Sequence, residues 1–143
     1  MSYVFDIDDE TVWSPSLRVG DLYIRMLQDV GSVLDVPTGL SAVSSDMWDI
    51  DIDAFEKLVK TMYETYFSTG HSVFKVLIEG VLAPSIVLLE RGGKEINSRT
   101  GQEREFRDRA LKLSMARWRS GLCFVPLPAV SCGEVPVTRT RHH

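Results

Sequence analysis

Carboxylates are the side chains in this sequence whose spacing could do chemistry. Asp6, Asp8, Asp9 and Glu10 fall within five residues, and Asp49, Asp51 and Asp53 alternate with isoleucines. One Asp can attack a phosphoryl group while a second, two residues on, protonates the leaving oxygen and Mg²⁺ screens the charge. Alternating carboxylates can instead converge on calcium. A calcium loop counted from Asp49 needs glycine sixth and glutamate twelfth, where Ala54 and Lys60 stand, so calcium is not expected. The spacing fits an extended lead-in better: Ile50 and Ile52 point inward, the acids face water, and Asp53 caps the next helix with Glu56 completing a capping box.

Other reactive groups are few. His71 is the one histidine outside the terminal pair, and it stands before a helix, where a capping role is commoner than catalysis. Cys123 and Cys132 form no CxxC unit, and His142-His143 no HxxxH pair, so neither a metal nor a cofactor is expected. No catalytic residue is assigned.

The charge layout says more than the total of −4. Residues 1–60 hold twelve acids against four bases, and residues 91–120 hold nine bases against four acids. Such opposed fields act on association more than on fold. They suit attraction within one domain or between two copies, or an acidic surface for a basic partner. The basic stretch Arg104, Arg107, Arg109, Lys112, Arg117 and Arg119 is interleaved with Glu103, Glu105 and Asp108, and the pI is near 5.3. A nucleic-acid partner is therefore not expected. Met1-Ser2 leads into YVFDIDDE without a basic and apolar leader, so a cytoplasmic address is expected.

Positioning these residues requires helices. The run Ser72–Arg91 is apolar all round apart from Lys75, Glu79 and Ser85, which predicts a central helix buried on several sides. Ser72 is its expected cap, Lys75 and Glu79 are i,i+4 partners, and Gly92-Gly93 are its stop. Pro84 predicts a kink near Gly80 to Pro84, or two half-helices. The run is long enough to span a bilayer, but its charges and proline argue for a protein core. Ser14-Pro15 predicts a helix start, with Val19, Leu22, Tyr23, Met26, Leu27 and Val30 buried and Gly31 as the stop. Residues 35–49 read as an ordered loop. Phe55, Leu58, Val59, Met62 and Tyr66 define an amphipathic helix from Asp53, and a last helix runs from Gln102 to Ser120. Tyr3–Trp13 fits a hairpin turning at Asp8-Asp9.

Two resemblances follow from these motifs. FDIDDET at Phe5–Thr11 resembles the opening strand of haloacid-dehalogenase-type phosphotransferases, which implies Asp6 as nucleophile and Asp8 as general acid. The threonine stands one residue late, and the alternating strands of a parallel sheet are missing downstream. WSPS at Trp13–Ser16, DVPTGL at Asp35–Leu40 and the acidic approach at Ile50-Asp51 resemble a family of small bacterial proteins of unknown function, over roughly residues 3–92. That resemblance implies a compact, mainly helical domain and carries no catalytic residue across.

The expected fold is mainly α: a four-helix bundle-like single domain over residues 1–121, with a short N-terminal β-hairpin and an extended, Pro-containing tail over 122–143. The expected function is non-enzymatic binding, accessory or antitoxin-like, through an acidic surface made by Asp6, Asp8, Asp9, Glu10, Asp49, Asp51 and Asp53. The alternative is a small enzyme or ligand-binding protein with an apolar pocket near Pro84, lined by Tyr23, Tyr63, Tyr66, His71, Glu79 and Trp118. A basic protein partner or a second copy is the expected companion; a membrane is not.

Overall fold

The computed structural model describes residues 2–116. Strand β1 (Val4–Ile7) turns back into β2 (Glu10–Trp13), and helix α1 (Leu17–Leu34) follows. A second hairpin, β3 (Leu40–Ala42) and β4 (Met47–Ile50), leads into α2 (Ile52–Ser68), α3 (Ser72–Arg91) and α4 (Gly101–Leu111). The four strands form one mixed sheet in the order β2-β1-β4-β3, in which β1 and β4 are parallel. The fold is thus α+β. The sheet replaces the single hairpin of the expected helical bundle, because residues 35–49, read as loop, supply two of its strands.

The first hairpin turns at Asp8 and Asp9, both at positive φ (50° and 63°), the two-residue geometry whose twist matches the flanking strands. Phe5 pairs with Trp13 but Asp6 with Thr11, so Val12 is an extra residue in β2. This bulge lets Val12 and Trp13 both face the core, which strict alternation would forbid. There Trp13 stacks on Phe5 with ring centres 5.2 Å apart, and Tyr23 of α1 meets both rings edge-on.

Ser16 caps α1, two residues later than expected, because Ser14 is held in extended chain by donating its N–H to the Ala116 carbonyl. Gly31 does not stop the helix, which runs on to Leu34 and ends at Asp35 in the left-handed region. The glycine instead makes room: a Cβ there would lie 2.8 Å from the Val36 carbonyl oxygen. Tyr23, Ile24 and Leu27 are the buried apolar side chains of α1, while Val19 and Leu22 are exposed, against expectation.

Helix α2 buries Phe55, Leu58, Val59, Met62 and Tyr66 as its spacing predicts, and Tyr63 besides. Its cap is Asp51, which accepts from the N–H groups of Asp53 and Ala54, and not Asp53. Helix α3 has the predicted limits and is one continuous helix through Pro84, with no division into half-helices. His71 caps it in place of Ser72, its Nδ1 accepting from the Phe74 N–H. It passes the length and hydropathy test of a membrane span, but its second half is enclosed by protein, with Ser85, Ile86, Val87, Leu88 and Leu89 all buried. Helix α4 starts at the Thr100 cap and ends at Leu111 instead of Ser120, because the chain then leads to Ala116 against Ser14. Arg117, Trp118, Arg119, both cysteines and the expected tail lie outside the described residues.

Candidate functional site: an acidic surface on the central strands

The parallel pairing of β1 with β4 brings the two acidic clusters together. Asp6 stands level with Asp49, and its outer neighbour Thr11 donates its hydroxyl to Asp6 Oδ1 at 2.8 Å. Ser41 stands beside Asp49 on β3, so Thr11, Asp6, Asp49 and Ser41 form one polar row across the sheet. Phe5, Ile7 and Ile50 face the other way, into the core.

Because the two strands run in the same direction, they also end together. Asp8 and Asp9 turn the hairpin just past Ile7, while Asp51 and Asp53 open α2 just past Ile50. The two ends meet at Gly92, where a Cβ would lie 2.5 Å from Ile52 Cδ1 and 2.9 Å from Ile7 Cδ1. Asp51 and Asp53 also sit at the positive end of the α2 dipole, which favours their charge. Six of the seven acids are exposed and Asp6 is half-buried. Among the described residues, Asp53 is the one of these seven acids with an ion-pair partner, Lys94 Nζ at 3.6 Å, which also reaches Glu56 at 3.9 Å.

Of the basic stretch, Arg107 pairs away from these acids, with Glu90. Arg107 donates its Nε–H to Glu90 Oε1 at 2.8 Å, and this bond is the main reason its guanidinium holds its proton more tightly than usual. A second nitrogen of Arg107 contacts the same Glu90 oxygen and lies 3.9 Å from Glu95. Arg104, Arg109 and Lys112 are exposed.

No three His, Cys, Asp or Glu side chains converge as a metal site among the described residues. Asp6 lies on a strand, and Asp8 in the tight turn by which it leads directly into an antiparallel neighbour, so the strand–loop–helix setting of the phosphotransferase resemblance is not present here.

The residues assigned to a pocket near Pro84 are spread through the fold. Tyr23 is buried, sharing a 2.7 Å hydrogen bond with Ser85, whose hydroxyl also lies 2.7 Å from the Val81 carbonyl; burial pushes the phenol pKa well up. Tyr63 bonds Ser98 at 3.3 Å, and Tyr66 packs against Phe67 and Phe106 with Lys75 Nζ 4.8 Å from its ring centre. Burial, and for Tyr66 the nearby Glu79, raise both pKa values. His71 is an exposed cap. Tyr63 and Tyr66 border two different grooves, with Phe67 between them. The larger, about 490 Å³, runs between α2 and the loop before α4, past Tyr63, Phe67, Ile96 and Arg99. Sequence reading missed it; its one available signal is Ile96, a lone apolar residue in the polar stretch GGKEINSRTG.

Sheet and site together define a small α+β domain that brings carboxylates from two distant chain segments together on its two central strands and at their shared end. The chain belongs to the family of unknown function DUF6086, matched over residues 1–117. The match takes in α4 as well as the WSPS and DVPTGL motifs. No curated protein and no solved structure matches the chain.

Proposed function

We propose that this chain is a non-enzymatic binding protein, an accessory partner that engages a basic protein surface through the acidic surface its two central strands and their ends present. The observation that carries the reading is the β1–β4 register, which sets Asp6 level with Asp49 and brings Asp8, Asp9, Asp51 and Asp53 to the same end of the sheet. Exposed carboxylates of one sign raise the local potential and steer an oppositely charged partner. Among the described residues, the ion pair made by any of the seven acids is that of Asp53 with Lys94, which supports a surface open to another molecule.

The test is affinity capture on the immobilised full chain from lysate of its source, with elution by salt. A basic protein that is retained at low salt and released as screening increases is expected. Changing Asp6, Asp8, Asp9, Asp49 to Asn and Glu10 to Gln should abolish retention while the melting transition persists; retention by that variant refutes the proposal. A second reading rests on the groove beside Tyr63 and Phe67, whose aromatic wall suits a small planar ligand. A co-purifying small molecule lost in a Phe67→Ala variant would favour it.

A further inference from the structure

The groove of about 490 Å³ between α2 and the loop before α4 is aromatic within and charged at its rim. Tyr63 and Ile96 are buried in it and Phe67 stands half-buried beside them. The Tyr63 and Phe67 rings lie 4.8 Å apart at 61°, so their planes form a corner. Edge contacts with Tyr66 and Phe106, at 4.9 and 5.8 Å, hold Phe67 in that pose. A third ring placed there meets one ring face and one ring edge, the arrangement aromatic groups prefer. Of the charged groups lining the groove, two are already engaged: Lys60 pairs with Glu56 at 3.2 Å, and Glu103 accepts the backbone N–H of Arg99 at 2.6 Å. The other two are the side chains of Glu64, on α2, and Arg99, on the loop opposite. Both are exposed, and neither enters an ion pair among the described residues.

We propose that this groove binds a zwitterionic aromatic compound of amino-acid size, with its ring in the Tyr63–Phe67 corner, its ammonium on Glu64 and its carboxylate on Arg99. The proposal rests on the reading of the groove as a small-ligand site and names the ligand's chemistry. The volume is within the range of pockets that take small molecules. Opposite charges on opposite walls select the ligand's charge: an anion satisfies Arg99 and is repelled by Glu64, a cation does the reverse, and a zwitterion meets both. The guanidinium fork suits a carboxylate, which can accept two parallel hydrogen bonds from it. The ring supplies the apolar contact with Ile96 and Phe67 that a small aliphatic zwitterion lacks. This site shares no residue with the acidic strands, so it stands whether or not those bind a basic protein.

Isothermal titration calorimetry on the full chain tests it, with tryptophan as the probe and an expected Kd of roughly 100 μM. Tryptamine lacks the carboxylate and indole-3-propionate the ammonium, and each is expected to bind about 10-fold more weakly or worse. Alanine, which keeps both charges and has no ring, should give no measurable heat. Arg99→Gln should bring tryptophan down to the level of tryptamine, and Glu64→Gln to the level of indole-3-propionate. Both side chains are exposed, so an unchanged melting transition will show that these variants are folded. Tryptophan bound no more tightly than indole, or equally well by both variants, would overturn the proposal while leaving the groove a site for planar ligands. Alanine bound as tightly as tryptophan would overturn it too. If none of the four indole compounds binds at ~5 mM, the small-ligand reading of the groove falls with it.

Discussion

Asp49→Asn should make the protein more stable and a poorer binder. Asp49 stands level with Asp6 in the parallel pair, and Asp6 is held in place by the Thr11 hydroxyl at 2.8 Å. Directly opposed side chains in a sheet have Cβ atoms about 5 Å apart, and like charges there are destabilising. Taking the carboxylates as about 6 Å apart in water, their repulsion is roughly 0.7 kcal/mol unscreened, and a Debye length of about 8 Å reduces it to roughly 0.3 kcal/mol at physiological salt. Both groups face solvent, so the high-dielectric figure applies. For a domain of this size the low-salt gain corresponds to a rise in Tm of about 2–3 °C. Calorimetry at ~10 mM and ~0.5 M salt should show the gain at low salt and its near disappearance at high salt. Capture of the basic partner should weaken in the same variant. A destabilised variant, or a gain that does not depend on salt, would refute the placement of the two carboxylates side by side.

Three further outcomes follow from the packing. Tyr23→Phe should cost about 1 kcal/mol in urea unfolding, since it removes a buried hydrogen bond while Ser85 keeps the Val81 carbonyl. The raised Tyr23 pKa gives that site a pH signature: in the unfolded chain the phenol ionises near 10, in the folded chain well above, so stability is intact below pH 10 and falls as pH rises beyond it. Tyr23→Phe should flatten that part of the pH–stability profile. Gly92→Ala should cost about 1–3 kcal/mol in the same assay, because the new methyl must displace Ile52 and Ile7. Gly39→Ala should cost at least as much: Gly39 is at φ 75°, and a Cβ would sit 2.8 Å from the Asp51 carbonyl oxygen.

What could be read from the sequence was what is local. The limits of α3 and the buried face of α2 follow from a 3.6-residue period and polar punctuation, and both hold in the structure. The Asp8-Asp9 turn was legible for the same reason: two residues able to adopt positive φ between apolar segments. Helix starts slipped by one or two residues where adjacent side chains were equally able to cap, as at Ser14 and Ser16, Asp51 and Asp53, or His71 and Ser72. Strands β3 and β4 were not legible. They have three and four residues, too few for alternation to show, and β4 is fixed by a parallel partner more than forty residues earlier. The acidic residue types were therefore visible in the sequence, but not their convergence, which depends on that long-range pairing.

Two glycines help hold the acidic segments in position. The Asp51 N–H donates to the Gly39 carbonyl at 2.8 Å, so the DVPTGL segment fixes the residue that caps α2. Gly92 lets Ile7 and Ile52 close together, which sets the Asp8-Asp9 turn beside the start of α2. Gly39 stands at φ 75° with its Cβ position 2.8 Å from the Asp51 carbonyl oxygen, so that turn requires glycine. The carboxylates they position are, Asp53 excepted, without ion-pair partners among the described residues, and Asp6 stands level with Asp49. A surface serving solubility alone would not require such fixed placement, since scattered charges do that equally well. On the proposed reading, a positively charged partner would offset on binding the repulsion between carboxylates that the parallel register sets side by side.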